Sequence, residues 1–120
     1  MNFKAQPYLS KQCGQTCVAM ITGKSIEDVC NEINKEYTTN IYTDLQKYLN
    51  NNGYKTFVAY GDFQFSEVPN NSIIRLNKPD DSGHFVVKNE NGIIYDPSVG
   101  IVQKYMSYYT ITHYLKFEKE

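Results

Sequence analysis

The sequence predicts an α+β domain in which short helices from the first half pack on one side of an antiparallel sheet from the second half. Three observations carry that expectation. A compact apolar run near the start ends at a glycine, two further segments show helical periodicity with cap signals, and after Gly53 the period shortens to stretches rich in β-branched and aromatic residues. No repeat, low-complexity tract or linker breaks this order. A chain of 120 residues is long enough for one core and too short for two, so residues 1–120 are read as one domain.

Gln12 to Thr22 reads as a buried helix, with Cys17, Val18, Met20 and Ile21 in one apolar run closed by Gly23. Ser25 then stands as a cap before Glu27 and Asp28, whose carboxylates suit the first turn of a second helix, with Val29, Ile33 and Cys30 on its inner face. A third helix runs from Thr43 to Leu49, carries Leu45, Tyr48 and Leu49 on one side, and is stopped by Asn50-Asn51-Asn52-Gly53. Strands are expected at Tyr54–Tyr60, Ser72–Leu76, His84–Lys88, Gly92–Asp96 and about Tyr114–Glu118, parted by Pro, Gly, Asn and Asp.

Hydrophobic residues make up 41% and charged residues 21% of the chain, and the formal net charge is -1, which offers no field to draw nucleic acid or an anionic membrane. Neither is an expected partner. The N-terminal stretch has no apolar run behind Lys4, and no segment is long enough to span a bilayer, so a soluble cytoplasmic protein is expected, with delivery to another cell left open. Cys13, Cys17 and Cys30 are odd in number and all lie in helical segments, which fits reduced thiols better than a disulfide framework. A zinc site from Cys13, Cys17, Cys30 and His84 fits poorly, because Cys13 and Cys17 share one helix and no second close pair of ligands exists. No cofactor or metal is expected.

The chemistry-bearing residues are Cys13, His84 and Asp96. A thiol is nucleophilic as thiolate, and a helix start favours the anion through its unpaired N–H groups and dipole; an adjacent imidazolium favours it more. Gly14 would let a substrate backbone approach the sulfur. His84 and Asp96 fall on consecutive strands. If Asn89-Glu90-Asn91 is a three-residue hairpin loop, Lys88 pairs with Gly92, His84 lies opposite Asp96, and both side chains share a face. A two-residue turn would reverse the parity, so an odd-length loop is required. An oxyanion donor is expected upstream of Cys13, with Gln6 the first choice and Gln12 the reserve. Cys17 and Cys30 read as packing residues, and His113 as a surface or strand residue. Tyr105, Tyr108, Tyr109 and Tyr114 read as half-buried strand and rim positions.

The motif Cys13-Gly14-x-x-Cys17-Val18-Ala19-Met20-Ile21, the segment Gly23–Val29, the strand Gly83–Val87 and the turn Asp96-Pro97-Ser98-x-Gly100 resemble the papain-like cysteine peptidases that process bacteriocin leaders at a double glycine, and their stand-alone relatives. The resemblance spans Gln6 to Gly100. It implies a papain-like fold, Cys13 as nucleophile, His84 as general base, Asp96 as its orienting group and Gln6 at the oxyanion, with a peptide as substrate. Gln6 stands one residue further upstream than that family's usual spacing. Deamidation or glutamine crosslinking by a toxin or effector would use the same triad and thioester, and a non-catalytic peptide-binding domain is the third reading.

Overall fold

A computed structural model describes residues 1–105 and 109–120. Three helices, α1 (Cys13–Thr22), α2 (Ile26–Ile33) and α3 (Lys47–Asn51), precede six strands: β1 (Tyr54–Phe63), β2 (Ser72–Asn77), β3 (Gly83–Lys88), β4 (Ile94–Asp96), β5 (Gly100–Val102) and β6 (Thr110–Lys119). The strands form one sheet in the order β1-β6-β2-β3-β4-β5, with every neighbouring pair antiparallel. Helices early and sheet late give the expected α+β fold.

Local chemistry sets the helix ends. α1 is buried from Gly14 through Met20 and stops at Gly23, whose left-handed φ of 78° turns its N–H back onto Ala19 O. Ser25 caps α2, accepting from the Asp28 N–H at 3.0 Å. The third helical segment starts earlier than its pattern suggested. Asn40 Oδ1 accepts the Tyr42 and Thr43 N–H groups, and Leu45 N–H reaches Asn40 O at 3.1 Å, so Ile41–Gln46 form a wide π-helical turn before α3. Ile41, Leu45, Tyr48 and Leu49 are all buried by it.

The sheet has apolar cover on both faces. Cys17, Val18, Val29, Leu45 and Leu49 from the helical layer pack with Ile73, Phe85, Val87 and Leu115. Val68, Ile74, Leu76, Val86, Ile94 and Ile111 form a second cluster, with Phe65, Tyr105 and Tyr109 against it. Leu115 and Ile111 have the same parity yet belong to different clusters, because a register shift between Arg75↔His113 and Leu76↔Ile111 switches the face of β6. β1 and β6 are each longer than expected and pair from Tyr54↔Lys119 to Phe63↔Ile111. The three-residue β5 was not expected at all. No helix among the described residues is long and apolar enough to cross a membrane.

The hairpin that carries the site keeps its parity and changes its register. Lys88 pairs with Ile94 instead of Gly92, so the loop spans residues 89–93. Asn89, buried at 2% exposure, accepts the Asn91 and Ile93 N–H groups through Oδ1, and Gly92 takes a left-handed φ of 79° inside the turn. The loop is odd, as the shared face requires. Continuing the observed register would put Ser98, and not Asp96, across from His84, so Asp96 reaches His84 diagonally.

Candidate active site

Cys13 is the first helical residue of α1, and its neighbour Gly14 decides where the sulfur goes. A Cβ at Gly14 would collide with Thr39 Oγ1 and crowd Leu45 and Phe85 to 3.3 Å. The missing side chain thus serves the interior: it lets the first turn of α1 press against β3. There the His84 ring and the Phe85 and Gly14 backbone N–H groups lie near enough to the Cys13 sulfur to favour its anion. β4 pairs with β3 only at Val87 and Lys88, which leaves the start of β3 open toward the thiol.

His84 Nε2 lies 2.7 Å from Asp96 Oδ1, with His84 5% and Asp96 3% exposed. With Nε2 committed to the carboxylate, Nδ1 is the nitrogen left for the sulfur. Asp96 is itself held on several sides. Ser98 donates its N–H and its hydroxyl to Oδ1, each at 2.9 Å, and the Tyr105 hydroxyl donates to Oδ2 at 2.5 Å. Ser98 is held close by the Asp96-Pro97-Ser98-Val99 turn, whose Val99 N–H returns to Asp96 O at 3.2 Å and leads into the Asp96↔Gly100 pair.

The charges follow from these contacts. Burial works against a charged His84, but the hydrogen bonds to Asp96 and Cys13 outweigh it and raise the imidazole from 6.5 to about 9. Asp96 is pulled down to about 2, because its bonds from His84, Tyr105 and Ser98 overcome the cost of burial. Burial also opposes the Cys13 thiolate, yet the His84 contact and the two backbone donors bring the thiol below its ordinary 9.0. The two shifts run together: the imidazolium favours the Cys13 thiolate and the thiolate favours the imidazolium, so the contact supports a thiolate–imidazolium pair. Cys17 is the contrast: fully buried and close to both Cys13 and Asp96, it is pushed well above 9.0 and stays a packing thiol.

The remaining expected residues divide clearly. Gln6 lines an open cleft of about 350 Å³ with Cys13, Thr39, Arg75, His84 and Ser98. Its backbone N–H binds Pro97 O at 2.9 Å, and Nε2 donates to Ser10 O at 2.8 Å. Gln12 sits at the cap of α1, but its amide donates to Glu36 O at 3.0 Å, away from the thiol. Cys30 is buried in α2. His113 lies half-buried on β6 between the Tyr42 and Tyr60 rings. Tyr109 and Tyr114 are half-buried, and Tyr108 lies outside the described residues.

Tyr105 is the contact that the sequence did not reveal. It stacks on Phe65 at 5.2 Å, and its hydroxyl, with its proton held far more tightly than usual by burial and Asp96, serves as a donor only. Tyr105→Phe should leave Oδ2 short of one charge-assisted bond and cost about 1.5–3 kcal/mol. Denaturant unfolding checks the stability loss, and NMR titration should find the Asp96 carboxyl above its wild-type value.

By sequence the chain matches no protein-family profile and no curated protein. By structure it matches a double-glycine-motif protease from an AMS/PCAT transporter, solved in complex with the leader peptide, with a TM-score of 0.71 and 18% identity over 99% of this chain and 91% of that one. The fold is that of a papain-like peptidase domain. The peptidase domain of Streptococcus ComA, a bifunctional ABC transporter of a quorum-sensing pathway, gives a TM-score of 0.68 at 18% identity and covers 99% of this chain and 100% of its own. Within this papain-like frame the thiol helix and the His84–Asp96 hairpin come from opposite halves of the sequence and meet at the start of β3.

Proposed function

We propose that the chain is a cysteine peptidase in which Cys13 attacks the carbonyl carbon of a peptide bond. The observation that carries this reading is a half-buried Cys13 thiol in contact with His84, itself bonded to Asp96, at the wall of an open cleft. The thiolate adds to the carbonyl, and the tetrahedral intermediate places negative charge on its oxygen. The Cys13 N–H, which has no partner within α1, points there in the usual geometry of a helix start. Gln6 supplies the second donor: one Nε2 proton is spent on Ser10 O and the other is free for the oxyanion. Collapse expels the amine, which takes the His84 proton, and leaves an acyl-thioester on Cys13. Water, deprotonated by His84, then adds to the thioester carbonyl, and collapse releases the acid and restores the thiolate–imidazolium pair.

Asp96 keeps one imidazole orientation through both proton transfers and stabilises the imidazolium. The two solved relatives are peptidase domains, one of them holding a leader peptide, which supports an extended peptide as the bound species. Gln6→Ala is expected to lower kcat about 10²-fold with little change in KM, because the donor acts on charge that exists only in the transition state. The test of the reaction class is incubation with an unbiased peptide mixture followed by mass spectrometry. New peptide termini that vanish in Cys13→Ala are the predicted result. Substrates that gain the mass of deamidation, or lose ammonia on crosslinking, with no new termini would overturn the peptidase reading.

A further inference from the structure

Arg75 is the only arginine of the chain, and β2 sets it directly across from Phe85, one residue beyond His84. Its guanidinium is held at one end by neutral acceptors: Nη1 donates to Thr112 Oγ1 at 2.9 Å and to Asn77 Oδ1 at 3.3 Å. The other edge lies beside Gly83, where an added Cβ would come within 2.6 Å of Nη2 and 3.3 Å of Nε. Among the described residues, Nε and Nη2 have no hydrogen-bond acceptor and Arg75 has no ion-pair partner. That free edge is the one that grips a carboxylate with two parallel bonds.

The surroundings favour an anion in the same place. Lys11 and Lys78 line the cleft with Arg75, and no carboxylate is among its described lining residues. This concentration of cations stands out in a chain whose net charge is -1. Asp80 tempers Lys78, which it feels from the same turn, but its own carboxylate is occupied by the Ser82 N–H and hydroxyl at 2.9 and 2.6 Å.

Resting on the peptidase reading of this cleft, we propose that Arg75 is a specificity-determining residue whose free Nε/Nη2 edge binds a substrate carboxylate next to the scissile bond. The carboxylate belongs either to an Asp or Glu side chain or to the α-carboxylate of a chain end. Gly83 is part of the device, since any side chain there would displace the guanidinium.

Alkylation of Cys13 by iodoacetate and by iodoacetamide isolates the effect. In both, the Cys13 sulfur displaces iodide to form a thioether, and the reagents differ in carrying a carboxylate or an amide. With labelling at Cys13 resolved by mass spectrometry, the iodoacetate-to-iodoacetamide rate ratio should fall about tenfold in Arg75→Gln, the loss of one charge-assisted pair. Arg75→Lys, which keeps the charge without the fork, should fall in between. An unchanged ratio in Arg75→Gln would overturn the proposal. Loss of His84 dependence for iodoacetamide labelling would instead count against the triad, so the two failures are distinguishable. Matched peptides then separate the sources: Asp or Glu against Asn or Gln at each position, and a free against an amidated C-terminus. Preference for the carboxylate in either series, lost in Arg75→Gln, supports the subsite and names its source; equal cleavage within both pairs contradicts it.

Discussion

Cys13→Ala is expected to abolish peptide cleavage, and His84→Ala to lower kcat/KM by about 10³-fold or more at neutral pH. The second loss follows from what His84 does to the thiol. Burial alone would hold the Cys13 thiol above 9.0; the His84 hydrogen bond and charge, with the Phe85 and Gly14 N–H groups, bring it below. Without the imidazole the burial cost is opposed by the two backbone donors alone, so the thiol rises and a smaller fraction of it is ionised at neutral pH. The variant also lacks the proton donor for the leaving amine, so the chemical step is hit twice. Cleavage kinetics with one defined peptide, alongside circular dichroism to verify the fold, check the expectation. Equal kcat/KM for wild type and His84→Ala would remove His84 from the mechanism.

Asp96→Asn should have the next largest effect, about 10²-fold in kcat/KM at pH 8, and should move the alkaline limb of the pH profile. In the wild type, His84 at about 9 sets that limb: activity falls as the imidazolium is lost above it. Activity rises on the acid side as Cys13 ionises, below its ordinary 9.0. Replacing the carboxylate by an amide removes the charge that outweighs burial, so His84 drops toward its ordinary 6.5 and the alkaline limb shifts down by about two units. Ser98 can still donate to the amide oxygen, which limits the geometric loss, while the amide nitrogen faces the Tyr105 donor unpaired. Cationic Lys11, Arg75 and Lys78 face the same cleft and push in the same direction, against a charged imidazole.

The same shifts act on stability with opposite signs. His84 is raised above its unfolded value of about 6.5, so its contribution is full below that pH and is lost as pH rises through about 9. Asp96 is depressed from about 3.9 when unfolded, so its contribution is present above that pH and is lost as pH falls through about 2. The pair supports the fold most fully between about pH 4 and 6.5, and Asp96→Asn should flatten this dependence.

What was legible in the sequence was whatever local signals could carry. A thiol at a helix start, capping residues such as Ser25, and the alternation that puts His84 and Asp96 on one face all depend on neighbours close in sequence. The details that escaped depend on tertiary contacts. Asn89 folds its side chain into the hairpin loop, which pulls Gly92 out of the strand and moves the register by two residues. The bulge in β6 shows only in its pairing with β2. Tyr105 reaches Asp96 from a segment with no periodic pattern, and the role of Gly14 depends on Thr39, which packs against it from a distant loop. The family resemblance supplied the expected roles; the geometry supplied their partners.

The most direct test of the thiolate–imidazolium pair is the pH dependence of iodoacetamide alkylation at Cys13, resolved from Cys17 and Cys30 by mass spectrometry, in wild type and His84→Ala. Rapid wild-type labelling well below pH 9 is expected, with the His84→Ala profile displaced to higher pH. Superimposable profiles for the two proteins would contradict it.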